Sequence, residues 1–314
     1  MFHPSCPHCG SRKTIKYALP RWKCTKKNCG KTFSLKRQDN RDRHALNAYI
    51  LDRATYARLG ERWKVNRSTA YRRVQKALKN KSCLLKRTKK DLKLCDGICV
   101  LDAKHIRVKG KHCTIFVAWD RGLGKPIHYS VHEEGEKELW YWKMLLELKR
   151  IGYEPKAFIS DGILVLKEFL REQYPNLPHQ RCTVHVYLNT KSKIAPGKVK
   201  DERKEYLLEE VKDILWSNSI RSAKRKLEYL YRNFKLNKKE RKALEDLWKI
   251  LPECFVCRDP KWLHFNLPRS SNSIENVMGQ IEARLKTRRG PKGIESTNLL
   301  VNELLLQVKR QVIK

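Results

Sequence analysis

Two short apolar runs in this sequence end on an aspartate: "GICVLD" at Asp102 and "AFISD" at Asp161. If the runs form neighbouring strands, the two carboxylates meet at the C-terminal edge of one sheet. Like charges so placed repel, and the arrangement is costly unless cations hold them. Hard oxygen ligands suit Mg²⁺ or Mn²⁺, which keep coordination positions open for water and a substrate phosphate. Two such ions activate a water or a 3′-hydroxyl and stabilise the departing oxygen in an in-line displacement at phosphorus. Each acid also has a plainer reading, because an Asp at the end of a strand often does no more than begin a turn.

A third carboxylate stands in "RSSNSIENVMGQIEARLKTRRG", residues 269–290. Ser271, Asn272 and Ser273 are good N-cap types, so a helix opens within "SNSIE". Ile274, Val277, Met278, Ile281 and Leu285 then recur at helical spacing, and Gly290 and Pro291 stop the helix. Glu275 heads this stripe. As a first-turn acid it compensates the helix dipole, worth about 0.3–1 kcal/mol. Packed on the sheet, the same helix would direct it at Asp102 and Asp161. Lys286, Arg288 and Arg289 would then grip a DNA backbone bound over the metals.

Softer ligands come first in the chain. "CPHC" supplies Cys6 and Cys9, and "CTKKNC" supplies Cys24 and Cys29. Two thiolate pairs separated by a short hairpin make a tetrahedral four-sulfur site for Zn²⁺, a zinc ribbon over residues 1–35. So small a segment buries too little apolar surface to fold alone, and the metal would supply the missing free energy. Trp22, Lys23 and Phe33 beside it either touch DNA or pack the hairpin. A second Zn²⁺ site is possible from Cys182, His185, Cys254 and Cys257, two pairs of correct spacing that lie far apart in sequence. One ion there would staple the exit and return of a helical insertion; the alternative is that all four are buried packing residues.

Residues 41–80 carry a second DNA-reading pattern. In "TYARLGERWKVNRSTAYRRVQKAL", Ala57, Trp63, Val65, Ala70 and Val74 have the spacing of a helix, a tight turn and a second helix capped by Asn66 or Ser68. The outward face of that second helix shows Arg67, Thr69, Arg72, Arg73 and Lys76, which suit phosphate and base-edge contacts in a major groove. A plain basic helical hairpin would look much the same. The whole chain has 70 Lys and Arg against 33 Asp and Glu, a formal charge of +37 over 314 residues. That excess repels itself in a compact state and is best explained by a polyanionic partner; ribosomal or membrane-surface binding would also fit the charge alone, and the two DNA-reading patterns favour double-stranded DNA. No apolar run has the length of a membrane span and no signal peptide is visible, so a cytoplasmic, nucleoid-associated protein is expected, its 11 Cys reduced.

The elements that must position these groups follow from the pattern. A basic linker spans 81–95, and strands begin at "GICVLDAKHIRV", "HCTIFVAWD" and "KPIHYSVH". A helix follows in "EKELWYWKMLLELKRIG", then the strand "AFISD", the helix "ILVLKEFLREQYP" and a fifth strand, "QRCTVHV". Three strands in succession, then alternating helix and strand, is the order of an α/β, RNase H-like core with helices on both sheet faces. Its first part is 96–189, an all-helical insertion occupies 190–265, and the core resumes over 266–314. Three amphipathic helices are expected in the insertion, with Trp216 and Trp248 packed in its core rather than stacked on bases.

Taken together, "LDAKHIRVKG", "ISDG", "QRCTVHV" and "SSNSIENVMGQIEARLKTRRG" resemble the motif series of Mutator-like DDE transposases, including their prokaryotic insertion-sequence relatives. The resemblance runs from about Gly97 to Gln311. It implies a catalytic triad of Asp102, Asp161 and Glu275, a C-x2-H pair at Cys182 and His185, and a helical domain that clamps transposon ends. Met278 departs from the pattern where many relatives have Asn, and the N-terminal ribbon is more typical of other insertion-sequence groups. The implied activity is metal-dependent cleavage of the element's ends and their transfer to a target by at least a homodimer. A non-catalytic regulator derived from such an enzyme, or an RNase H-like nuclease, are the rival readings.

Overall fold

Alternation along two strands decides which way the acids face. The structure is a computed structural model, which describes residues 4–18, 21–34, 46–50, 54–108, 110–197, 201–285 and 293–309. The backbone separates into two units, residues 1–77 and 78–314. Among the described residues no helix is long and apolar enough to cross a membrane.

In the first unit, β1 (Thr14–Ala18), β2 (Arg21–Cys24) and β3 (Thr32–Ser34) form a small antiparallel sheet. Further along, α1 (Tyr56–Trp63) and α2 (Arg67–Lys79) are joined by a tight turn with Lys64 in the left-handed region. Gly60 makes that turn possible, since a Cβ there would stand 2.7 Å from the Val65 carbonyl oxygen. Asn66 caps α2, its Oδ1 accepting from the Thr69 N–H at 2.8 Å and from the Ser68 hydroxyl at 2.9 Å. Leu59, Ala70 and Val74 are fully buried, and Arg67, Arg72 and Lys76 are exposed.

The second unit opens with α3 (Leu84–Asp91) and is built on β4 (Ile98–Val108), β5 (Lys111–Asp120), β6 (Lys125–His132), β7 (Ala157–Ser160) and β8 (His179–Arg181). The order is β6-β5-β4-β7-β8, with β4–β5 and β5–β6 antiparallel and β4–β7 and β7–β8 parallel. Helices α4 (Glu138–Arg150) and α5 (Leu164–Gln173) cover one face. There they pack on Cys99, Leu101, Phe116 and Phe158. The other face, with Val100, Ile106, Ala157 and Ile159, packs against Ile274, Val277, Met278 and Ile281 of α10 (Asn272–Leu285) and Val301 and Leu305 of α11 (Ile294–Leu306).

Two strand expectations need correction. Asp102 does not end its strand: β4 runs on to Val108 because β5 pairs with it along its whole length, from Cys99↔Asp120 to Val108↔Lys111. What ends near Asp102 is the parallel neighbour, whose last pair is Val100↔Ile159. The run "QRCTVHV" is not a full strand either. Its pairing partner β7 runs out at Ser160. Cys182 makes one further bond, N–H to the Ser160 carbonyl at 2.7 Å, and Thr183–Ile194 then winds into α6.

Helices α7 (Glu202–Leu215), α8 (Ile220–Asn233) and α9 (Lys238–Cys254) gather with α6 around Leu207, Val211, Leu227, Leu244, Leu247 and Leu251. Asp201, Ser219 and Asn237 cap them, and buried Glu240 joins α9 to Arg203 of α7 through bonds of 2.8 and 2.7 Å. The tryptophans depart from expectation: Trp216 is 42 % and Trp248 37 % exposed, because Trp216 stands at the C-cap past the last turn of α7 and Trp248 lies off the buried stripe of α9 formed by Leu244, Leu247 and Leu251. At the return to the sheet, the buried Gln180 side chain donates to the Cys254 carbonyl and accepts from the Cys257 N–H, both at 2.8 Å. Gln180→Leu strands both backbone groups. It should lower unfolding stability by about 2–4 kcal/mol in urea titration, and a loss under about 0.5 kcal/mol would show that the bridge carries little.

Candidate active site

Side chains alternate along a strand, so residues two apart share a face. On β4 that places Asp102 with Val100 and Ile106, on the side covered by α10. On β7 it continues Ala157 and Ile159 to Asp161, on the same side. Carrying the parallel register two residues past Val100↔Ile159 brings Asp102 level with Asp161. Glu275 lies in the first turn of α10. Two turns further along that helix, Glu282 pairs with Lys104 of β4 at 3.0 Å and fixes how the helix lies on the strand.

The electrostatics agree with this convergence. Burial pushes Asp102 up to about 6; His185 pulls it down, while Asp161 and Glu275 both push it up. Acids 59 and 173 positions away in sequence therefore act on one carboxylate (161 − 102 and 275 − 102). Local bonds hold the two aspartates in place. Asp102 Oδ1 accepts from the Ala103 N–H at 2.9 Å, and Asp161 Oδ1 from the Ile163 N–H at 3.1 Å. Gly162, at φ +79°, lets the chain turn under Arg181, which would otherwise meet a Cβ at 2.4 Å. A partly buried set of carboxylates, two of whose charges bear on the third at Asp102, is a donor set that fits a hard divalent cation.

Asp120 shows the plainer fate of a strand-end aspartate. It is fully buried, and its oxygens accept from the Leu123 N–H at 2.8 Å, the Gly97 N–H at 3.0 Å and the Tyr153 hydroxyl at 3.0 Å. Those donors satisfy it as a turn anchor.

Glu275 has closer neighbours than the aspartates. Its carboxylate, the Cys182 sulfur and a His185 ring nitrogen all lie within 4.8 Å of one another. His185 Nδ1 is 3.5 Å from Glu275 Oε1. Ser271, just before α10, donates both its N–H (3.3 Å) and its hydroxyl (3.2 Å) to the Cys182 sulfur. Burial opposes ionisation of Cys182, yet hydrogen bonds from His185 and Ser271 outweigh it and lower the thiol's pKa. His185 is raised to about 9, chiefly by its bond to Cys182 and against burial, with Glu275 and Asp102 adding to the effect. Both shifts share one cause, the hydrogen bond between Cys182 and His185.

Among the described residues a second metal-capable group is Cys6, Cys9, Cys24 and Cys29. The Cys6–Cys29 and Cys9–Cys24 sulfurs are 3.8 and 3.7 Å apart. A Zn–S bond of about 2.3 Å sets the edge of a sulfur tetrahedron at about 3.8 Å, so the thiols fit that ion. Gly10 and Gly30, both at positive φ, follow Cys9 and Cys29 and close the two turns. Cys254 and Cys257 belong to neither group: burial pushes Cys254 up to about 12 and raises Cys257, and the staple at this junction is the Gln180 amide.

Arg67, Thr69, Arg72, Arg73 and Lys76 share one helix, α2, with Thr69 and Arg73 half-buried. Lys286, Arg288 and Arg289 lie outside the described residues. Sequence patterns gave no sign of Glu136, whose charge reaches Asp161 and Tyr141. Burial raises its pKa, and it is held by the Tyr141 hydroxyl at 2.9 Å and by His105 Nε2 at 3.3 Å. In "EGEKELW" it reads as one more polar residue before a helix.

Residues 90–314 match the family model described as "Transposase, Mutator family". A transposase for insertion sequence element IS1201 from Lactobacillus helveticus is 29% identical over 169 residues, 53% of this chain and 43% of that protein. A transposase for insertion sequence element IS6120 from Mycolicibacterium smegmatis is 25% identical over 210 residues, 64% of this chain and 62% of that protein. The chain thus spans less than two thirds of the length of these relatives. Among solved structures, the Drosophila P element transposase strand transfer complex superposes with a TM-score of 0.35 at 14% identity, over 89% of this chain and 80% of that one. The Mos1 strand transfer complex gives 0.21 at 15% identity, over 72% and 81%.

The four-cysteine geometry sets a test by chelation. A strong zinc chelator should collapse the amide NMR dispersion of residues 4–34 and leave that of residues 98–160 unchanged. Unaltered signals from β1–β3 in metal-free protein would mean that the thiols do not depend on an ion.

Proposed function

Because the chain belongs to the Mutator family of transposases, we propose that it binds the ends of an insertion element and catalyses their cleavage and strand transfer at Asp102, Asp161 and Glu275. The field at Asp102 carries this reading: acids from a second strand and from a distant helix both raise a carboxylate that burial already disfavours. Mg²⁺ or Mn²⁺ held by the three acids would supply Lewis-acid stabilisation of the phosphate oxygens and an activated water or 3′-hydroxyl.

The chain's own residues do the rest. Asp102, in the interior of a paired strand, gives a rigid anchor. Asp161 is held at a turn, and Glu275 comes from a helix whose register on β4 is fixed by Glu282 and Lys104. The His185 imidazolium lowers the Asp102 carboxylate and so offsets part of the mutual repulsion. Cleavage and strand transfer are both phosphoryl transfers to an oxygen nucleophile, so the reading requires no covalent bond to a Ser or Tyr. The sheet order β6-β5-β4-β7-β8 supports an RNase H-like core, and the helical cluster that α6 joins with α7, α8 and α9 supports an insertion into it, which begins nearer 183 than 190.

DNA reading falls to the first unit. Zn²⁺ at Cys6, Cys9, Cys24 and Cys29 would hold a ribbon over 1–35, and residues 41–80 would act as a helix-turn-helix with α2 in the major groove. Arg67, Arg72 and Lys76, exposed on α2, would neutralise phosphates, with Thr69 and Arg73 nearer the base edges. Lys286, Arg288 and Arg289 would add contacts to the DNA backbone. Bringing two ends together requires a homodimer or larger assembly.

Glu275→Gln keeps size and hydrogen bonding but removes the charge. It should cut Mg²⁺-dependent strand transfer by about 10³-fold or more, with end binding in a mobility-shift assay changed less than about twofold. Transfer at the wild-type rate would refute the role. Replacing Arg72 and Lys76 by Ala should weaken binding to all sequences and flatten the slope of log K against log salt by about one per residue. An unchanged slope would place the DNA elsewhere.

A further inference from the structure

Glu275 sits in two clusters at once: its charge reaches Asp102, and its oxygen lies against His185 and Cys182. The second cluster has the composition and the dimensions of a metal site. Cys182 occupies the N-cap position of α6 and His185 stands one turn along the same helix, so both point to one side. The start of α6 is tied to the segment leading into α10 by the Thr183 N–H on the Arg269 carbonyl at 2.8 Å. That bond keeps Glu275 facing the pair.

With Zn–N and Zn–O near 2.05 Å and Zn–S near 2.3 Å, tetrahedral edges are about 3.4 Å for N···O and about 3.6 Å for S···N. The observed Nδ1···Oε1 separation is 3.5 Å, and all three ligand atoms lie within 4.8 Å. An ion would need only small side-chain movements. The outer contacts suit a ligating thiolate as well: Ser271, 1 % exposed, donates twice to the sulfur. His185 and Glu275 side chains are 27 % and 33 % exposed, which leaves an approach for an ion and a fourth position for water. Thiolate with imidazole selects a borderline-soft ion over Mg²⁺ or Mn²⁺.

We propose that Cys182, His185 and Glu275 form a Zn²⁺ site that competes with the catalytic metals for Glu275, so that Zn²⁺ inhibits the enzyme by withdrawing its third acid. The inhibitory part rests on the catalytic reading of Glu275; the existence of the site does not. With zinc bound, Glu275 is tethered to α6 and the catalytic centre is left with Asp102 and Asp161. With zinc removed, the carboxylate is free to turn toward the aspartates. Cys254 and Cys257, drawn to Gln180, take no part.

Zinc content of the full chain tests the site without any measure of catalysis. Wild-type protein dialysed against micromolar Zn²⁺ should hold about two ions per chain, one of them at the four-cysteine site. Cys182→Ser and, as a second variant should the first fail to fold, His185→Asn should each hold about one. A single ion in the wild type, or two in folded Cys182→Ser, overturns the site. Co²⁺ titration supplies a spectroscopic check, since thiolate-to-cobalt absorption at the second equivalent should vanish in Cys182→Ser. The competition is read separately, each protein against its own zinc-free rate of Mg²⁺-dependent strand transfer. The half-inhibitory Zn²⁺ concentration should rise at least about tenfold in Cys182→Ser, and an unchanged value overturns the shared-ligand claim. Should Glu275→Gln lose the second ion yet keep transferring strands, the catalytic reading falls while the zinc site stands.

Discussion

The parallel pairing of β4 with β7 is the constraint from which the rest of the site follows. Its three register pairs, from Ile98↔Ala157 to Val100↔Ile159, align two segments nearly sixty residues apart. A slip of one residue would turn Asp161 to the α4–α5 face and leave Asp102 alone on the α10 face. The apolar neighbours enforce the register. Ala157 and Ile159 are buried under α10 and α11, and Phe158 is buried under α4 and α5. A slip would therefore exchange both halves of the core. The two aspartates are held to one face by hydrophobic pressure on residues that do no chemistry.

Charge is the second constraint. The charges of Asp161, Glu275 and His185 all act on Asp102, and the half-buried imidazole is raised to about 9 by its hydrogen bond to the Cys182 thiol. His185 is hydrogen-bonded to Cys182 on one side and lowers Asp102 on the other. Ser271 links this pair to the start of the helix that carries the third acid, through two bonds to sulfur and a hydroxyl contact of 3.3 Å to Glu275. The C-x2-H pattern and the N-x-I-E helix, separate motifs along the chain, are one hydrogen-bonded assembly in space.

Much of this was legible from local pattern, and the failures have identifiable causes. Helices α7, α8 and α9 declare themselves through apolar spacing and caps, and the strand that carries Asp102 through its β-branched run. Asp102, Asp120 and Asp161 look alike in sequence, each closing an apolar stretch. Only the donors around Asp120, contributed by Gly97 and by Tyr153 further along the chain, mark it as an anchor. "QRCTVHV" has strand composition, but its length was limited by β7, a partner in another part of the sequence. The cysteines at 254 and 257 have ligand spacing, yet Gln180 claims their backbone. Glu136 reaches the acids through burial and tertiary contact, which no one-dimensional pattern records.

Gln180 also bears on how such a chain tolerates change. The helical block leaves the sheet at the turn after β8 and is drawn back to the same strand where Gln180 bridges Cys254 and Cys257. Departure and return share one point of attachment, so the block is a graft on the core rather than a link in it. Closing a longer excursion between fixed ends costs only about 0.6 kcal/mol per doubling of length. Relatives that keep the bridge are therefore free to diverge widely in the size of the grafted helices while the geometry of the acids stays the same.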